Sequence, residues 1–448
     1  MISAVRSHER PPGIPPRRRW PRGPTNELHD AVRHGTIRQI EDLLSEGLID
    51  INLGDPRGQT PLMCAAAIGN RAIVGMLLKK GANLSIASDY DFTALHIAAQ
   101  EGQLDVTEMM AKACDAADLE AVTYEGFTPL HVAVQVKQPA VVRALIEAGA
   151  NFNSRTPTGQ TPLYTAAMRG YLDVVRVLLS AKADPLLPRI DPTGYTCVPL
   201  DVAAQSGQPA VIHELIQHFG IQGCGGESGG GDALLYAAQR HNTSILTMLS
   251  ESGVVDNGVA LQAAVQIGNE TSVKFLLEHG RNTVASQLAY INAPDGLGFT
   301  ALFRSITACQ PRSPRIIRML VDAGADTTSK VRVMYTSGWG FFNDTPLALV
   351  TRYLREKKVD AKHATEEQLH RLEAIRRMLL RVEAIHGESW LWRSDVFAIS
   401  RAAGGARRTN QTASVTGRAL RPTLPIPCRS SRRSRVLLAA LFRFSGKP

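Results

Sequence analysis

Apolar positions in this chain recur on a helical period and return in doublets. Between residues 60 and 84 they fall at Leu62, Ala65-Ala66, Ile73-Val74 and Leu77-Leu78, with Gly69 dividing them and Gly81-Ala82-Asn83 closing the run. Spacings of three and four put each set on one face of a short helix, so the pattern predicts two helices per block, with glycine at the turns. The pattern then repeats. Thr60-Pro61-Leu62, Thr93-Ala94-Leu95, Thr128-Pro129-Leu130 and Thr161-Pro162-Leu163 open successive blocks 33, 35 and 33 residues apart. Threonine before the first helix offers its hydroxyl to an unpaired backbone N–H, and proline in the first turn loses no hydrogen bond there. Paired alanines let neighbouring helices approach closely. One block cannot bury its apolar face alone, so the blocks must stack into an all-α solenoid.

With Thr93-Ala94-Leu95-His96-Ile97-Ala98 and Thr128-Pro129-Leu130-His131-Val132-Ala133, the blocks resemble the ankyrin repeat. That resemblance implies helix-turn-helix units joined by β-hairpin loops. It also implies that His96 and His131 bond to backbone in the neighbouring hairpin. Weaker copies extend the array. Glu27 to Asn52 reads as an N-terminal capping repeat, and Pro199-Leu200-Asp201-Val202-Ala203-Ala204 follows two extra residues. Then come Asp232 to Gly253, Asn257 to Gly280 with a shortened loop, Thr300-Ala301-Leu302 to Asp326, and Thr345-Pro346-Leu347 onward. About nine or ten units span roughly residues 26–386.

The expected organisation is a disordered basic arm at 1–25, regular repeats with their cap at 26–222, a glycine-rich connector at 223–231, divergent repeats ending in a capping helix at 232–400, and a disordered basic tail at 401–448. Residues 330–343 form an enlarged loop carrying Tyr335, Trp339, Phe341 and Phe342. Thr365-Glu366-Glu367-Gln368 is a capping box that opens a long helix. Its apolar face is Leu369, Leu372, Ile375, Leu379 and Val382, with Glu367/Arg371 and Glu373/Arg377 on the solvent side and Trp390-Leu391-Trp392 folded back against it.

Charge changes this picture only at the ends. The net charge is +9, but residues 1–25 hold six Arg against one Glu, and residues 401–448 hold ten Arg and one Lys against no acid. A mildly acidic body therefore lies between two basic segments that could bind nucleic acid or an anionic surface. The six cysteines, Cys64, Cys114, Cys197, Cys224, Cys309 and Cys428, lie far apart with no zinc spacing, which suits a reducing compartment. No signal-peptide run opens the chain and Val436 to Phe442 is too short to cross a bilayer, so a cytoplasmic or nuclear monomer is expected.

Candidate chemistry is sparse. Gly296-Leu297-Gly298-Phe299-Thr300-Ala301 formally matches a dinucleotide fingerprint but falls where a hairpin enters Thr-Ala-Leu, with no buried strand before it. The stretch 223–231 lacks the Lys-Ser/Thr of a phosphate loop. His213 and His218 stand about 140° apart on a helix, too divergent for a shared metal. No catalytic set, cofactor or metal site is expected, which leaves surface recognition.

The ankyrin resemblance implies a concave groove made of hairpin tips and first-helix ends. The tips supply Pro56, Arg57 and Gln59, Tyr90 and Phe92, Tyr124, Glu125 and Phe127, and Thr158 and Gln160. The helix ends supply Ala67 and Ile68, Gln100 and Glu101, Gln135 and Val136, Met168 and Arg169, Gln205 and Ser206, and Gln239 and Arg240, and Trp339 adds an aromatic from the enlarged loop. A row of amides beside aromatic rings suits a polypeptide partner, offering backbone hydrogen bonds and apolar anchors. The function expected is a non-enzymatic scaffold or adaptor. The alternatives are a nucleic-acid or anionic-surface binder working through the tails, and an adaptor that recruits a separate ligase or kinase.

Overall fold

The computed structural model describes residues 27–402 apart from 46–48, 191–195, 225–229, 255, 257, 280–286, 296–297, 309–311, 335–340 and 360–365. Both basic segments up to residue 25 and beyond 402, the middle of the glycine-rich stretch, Gly296, Leu297, Trp339 and Thr365 therefore lie outside the described residues. The chain forms two compact units, one ending at Val255 and the other beginning at Asp256.

The first unit is a succession of helix pairs. A capping pair, α1 (Glu27–His34) and α2 (Ile37–Ser45), precedes α3 (Pro61–Ile68) and α4 (Arg71–Lys79) of repeat 1. Repeat 2 is α5 (Ala94–Glu101) and α6 (Leu104–Ala113), followed by one extra turn, α7 (Ala116–Leu119). Repeat 3 is α8 (Pro129–Gln135) and α9 (Pro139–Glu147), and repeat 4 is α10 (Pro162–Arg169) and α11 (Leu172–Ser180). A short antiparallel pair, β1 (Arg189–Ile190) and β2 (Thr196–Cys197), leads into repeat 5, α12 (Pro199–Ser206) and α13 (Pro209–Cys224), the latter broken at Gly220. Repeat 6 is α14 (Gly231–Gln239) and α15 (Thr243–Glu251). First helices stack on first helices, second helices stack on second from α4 to α15, and α12 packs on α14, so repeat 6 belongs to the same unit.

Each boundary has a local cause. Thr60, Thr93, Thr128 and Thr161 sit in extended backbone and accept through Oγ1 from the N–H of Met63, His96, His131 and Tyr164. First helices end on a left-handed residue, Gly69, Gly102, Gly170 or Gly207, whose missing side chain leaves room for the residue that opens the next repeat's second helix. A Cβ on Gly102 would lie 2.5 Å from Gln138 Nε2. Repeat 3 departs from this rule, since Lys137 takes the left-handed conformation (φ 57°) and Tyr171 replaces glutamine opposite it. The Lys137 ammonium lies 5.6 Å from the Tyr171 ring centroid, a cation–π contact in place of the glycine–glutamine fit.

In three first helices the third residue couples one repeat to the next. His29, His96 and His131 reach the carbonyls of Gln59, Phe127 and Gln160 at 2.9, 3.0 and 3.3 Å, each just before the next capping threonine or its equivalent. Repeat 5 places Asp201 here instead. Its carboxyl group accepts from Val198 N–H at 3.1 Å. Asparagines do a parallel job at the opposite loops, where Asn52 accepts from Asn83 N–H and Asn153 from Asp184 N–H. The core between these ladders is the alanine pairs and the Val/Leu stripe, including Ala98, Ala99, Val141, Val142 and Leu145, all buried.

The second unit holds α16 (Val259–Ile267) with α17 (Glu270–His279), a short α18 (Gln287–Ile291), and α19 (Ala301–Ala308) with α20 (Ser313–Asp322). The antiparallel pair β3 (Val331–Met334) and β4 (Phe341–Asp344) follows, then α21 (Pro346–Val359) and α22 (Glu366–Ala402). Asp256 caps α16, accepting from Gly258, Ala260 and Leu261 N–H and from the Tyr290 hydroxyl at 2.8 Å. Gln262 occupies the histidine position and donates to Ala293 and Phe299 carbonyls at 2.7 and 3.2 Å.

The long helix α22 buries Leu372, Ile375 and Leu379 and half-buries Leu369 and Val382 as it packs on α20 and α21. Two expectations are corrected there. Arg371, ion-paired to Glu367, is mostly covered rather than solvated. Residues 390–392 continue α22 rather than folding back against it, since Gly387 alone does not stop a helix whose surroundings are good helix formers.

Candidate interaction surface

The four hairpin tips that lead into repeats 1 to 4 are five-residue loops closed in one way. Asp55 N–H donates to Gln59 O at 2.8 Å, Ser88 N–H to Phe92 O at 2.8 Å, Thr123 N–H to Phe127 O at 2.9 Å and Thr156 N–H to Gln160 O at 3.0 Å. A left-handed residue at the fourth place, Gly58, Asp91, Gly126 or Gly159, lets the chain turn so tightly. Only the second and third residues of each tip then project. Neighbouring tips are also stitched together, with Asp89 N–H donating to Arg57 O at 3.1 Å and Tyr124 N–H to Tyr90 O at 3.0 Å. Arg57, Tyr90 and Tyr124 therefore stand on adjacent tips of one continuous edge.

Arg57, Glu125 and Thr158 are exposed there, Tyr90 is 48% exposed and Tyr124 half-buried. Phe92 and Phe127 sit lower. Their rings meet those of His96 and His131 at 5.7 and 6.2 Å, which ties them into the frame of their own repeats. At the helix ends, Glu101, Arg169 and Arg240 are exposed, and Gln100, Gln135, Met168, Gln205 and Gln239 are half-buried at one register position. Ile68 and Val136 add apolar surface, 49% and 38% exposed. Because the first helices stack in sequence order, these positions form a second row beside the tips. In the second unit Gln266 and the exposed Ile267 hold the same two places before Gly268. Aligning on that glycine finds them, although the irregular loop lengths hide the register. Trp339 lies outside the described residues.

Buried ionisable groups beneath this face are accounted for by the frame. Burial pushes His131 down to about 4, against the favourable bond to Gln160 O. The ring is therefore neutral, with Nδ1 accepting from Thr128 N–H and Nε2–H donating to Gln160. Burial, and then the nearby Asp232 charge, pushes Asp201 well above the usual carboxylate range. Cys64, Cys114 and Cys197 are free thiols, all raised by burial, Cys114 and Cys197 to about 12, which leaves them poor nucleophiles. Among the described residues no group of three or more His, Cys, Asp or Glu is placed to hold a metal, and no helix is long and apolar enough to cross a membrane.

The fold and this face define a repeat protein. The sequence profile of ankyrin repeats matches residues 28–123, 115–189 and 234–331, more than half of the chain, and the chain belongs to the ankyrin-repeat family. It is 32% identical to the nuclear factor NF-kappa-B p105 subunit of Gallus gallus over 37% of this chain and 17% of that one. It is 27% identical to the ankyrin repeat protein nuc-2 of Neurospora crassa over 63% of this chain and 26% of that one. The match to a probable 26S proteasome regulatory subunit, p28, of Saccharomyces cerevisiae is 28% identical over 44% of this chain and 86% of the relative. The first two relatives are thus matched over less than a third of their own length.

Proposed function

We propose that this protein is a non-enzymatic scaffold or adaptor that binds protein partners through the groove formed by its hairpin tips and first-helix ends. The observation that carries this is the division of labour along each repeat. Cap threonines, third-position histidines and turn glycines are consumed by the frame, whereas the projecting side chains vary from repeat to repeat on a rigid edge. Variation on a rigid support is what recognition of a particular polypeptide requires. The match covering most of a proteasome regulatory subunit supports the view that an array of this kind serves as an interaction module with little added to it. We place the protein in the cytoplasm or nucleus, as a monomer.

The test is a pull-down comparing the full chain with its Tyr90→Ala/Glu125→Ala/Arg169→Ala variant. These side chains are half-exposed or exposed, so the fold is retained, and partners should be lost. Retention of every partner by the folded variant would remove the groove assignment. A second reading is favoured by the concentration of Arg at both ends of the chain: nucleic acid or an anionic surface bound through the arms. Its binding would weaken steeply with salt and vanish on deleting residues 1–25 and 401–448.

A further inference from the structure

We propose that the groove of the first unit selects an extended peptide of mixed charge, with basic side chains over repeats 2 and 3 and acidic ones about six residues away over repeats 4 to 6. This deepens the groove reading and rests on it.

Asp89, Glu101 and Glu125 stand exposed in repeats 2 and 3, and Arg169 and Arg240 in repeats 4 and 6, while exposed Lys137 of repeat 3 is drawn over the Tyr171 ring and Arg57 stands outside this stretch at the repeat 1 tip. Glu101 and Arg169 are the last residues of α5 and α10, and Arg240 directly follows α14, so the three share one register along the stack. On the second helices two charge pairs cross repeats, exposed Arg71 with Asp105 and exposed Arg176 with the half-buried Glu214. Glu101, Glu125, Arg169 and Arg240 make no ion pair with any other described residue. The frame leaves these four charges uncompensated, and a partner of opposite sign at each end complements them.

The spacing follows from the fold. Packed helices lie about 8–10 Å apart, so two repeat steps from Glu101 to Arg169 cover about 20 Å. An extended chain advances about 3.3 Å per residue, which puts the two charge types about six residues apart. Between them Val136 and the half-buried Met168 give an apolar floor. Gln100 and Gln135 beside them can both donate to and accept from a peptide backbone. Tyr90, next to Asp89 at an exposed tip, offers a ring face to a guanidinium or ammonium group.

The experiment is selection of displayed random 16-residue peptides on the immobilised full chain, with parallel selections on Glu101→Arg/Glu125→Arg and Arg169→Glu/Arg240→Glu chains whose circular dichroism matches wild type. Wild type should enrich peptides with Lys or Arg about six residues from Asp or Glu. The first variant should lose the basic preference and the second the acidic one, and each should bind the wild-type-selected peptides about tenfold more weakly. Enriched peptides that compete for the groove without this charge pattern would overturn the inference and leave the groove reading standing. Enrichment that is unchanged by both variants and by Tyr90→Ala/Tyr124→Ala, or no enrichment on any chain, would overturn both.

Discussion

His131 gives the strongest handle on the coupling between repeats. Its ring is 1% exposed, Nδ1 faces the Thr128 N–H at 3.4 Å, and Nε2 donates to Gln160 O. Burial would strand the charged ring without water, and this outweighs the bond to Gln160 O, so the folded-state value falls from 6.5 to about 4. The sign follows from linkage. Between pH 6.5 and 4 the unfolded chain takes up a proton that the folded chain refuses, so stability is full above pH 6.5 and is lost as pH falls towards 4. At about 1.4 kcal/mol per pH unit, the loss from this residue is roughly 2 kcal/mol at pH 5.0 and close to zero at pH 7.5.

His131→Gln separates that contribution from every other titration. Gln262 already makes the equivalent contact in the second unit through Nε2, so glutamine should keep the donor and remove the proton uptake. Urea denaturation followed by far-UV circular dichroism should find the two proteins within about 1 kcal/mol at pH 7.5. At pH 5.0 the variant should be the more stable by roughly 2 kcal/mol relative to that difference. Parallel pH profiles for the two proteins would refute the claim that His131 is held neutral.

Two further substitutions probe the frame. Gly102→Ala places a side chain at φ 72° and against Gln138, and should cost about 1–2 kcal/mol by the same denaturation assay, whereas alanine at an exposed helical site would cost nothing. Asp201→Asn tests the raised carboxyl beside Asp232. Because its folded value lies above the unfolded one, its stabilising contribution is present in acid and is lost as pH rises through the folded value. The asparagine variant should therefore gain on wild type in thermal midpoint from pH 4 to pH 8, and an unchanged difference across that range would refute the shift.

The repeats were legible because each signal in them acts locally. Threonine caps its own helix three residues on, glycine permits its own left-handed turn, and the doublets mark one helix face. The features that were not legible depend on partners far along the chain. Tyr290 has meaning only beside Asp256, 34 residues earlier, and α18 exists to hold it there. Lys137 looks like a misfit at a glycine position until Tyr171 is seen opposite. Short α7, within the wider 35-residue spacing, is locally encoded, since Asp115 accepts from Asp118 N–H at 2.8 Å. On the groove face, register assigns the projecting residues to tips and helix ends. It could not separate Tyr90, which projects, from Phe92, which meets His96, because the two lie on opposite sides of one tight turn.

The claim that partners engage the first-helix face is tested most directly by site-specific photo-crosslinking in the full chain. A benzophenone amino acid at Tyr90, Glu101 or Arg169 is compared with one at Lys112 or Arg143, exposed residues of the second helices α6 and α9. The account predicts that a shared set of partner proteins is captured from the first three positions and not from the last two. Capture from Lys112 and Arg143 alone would contradict it.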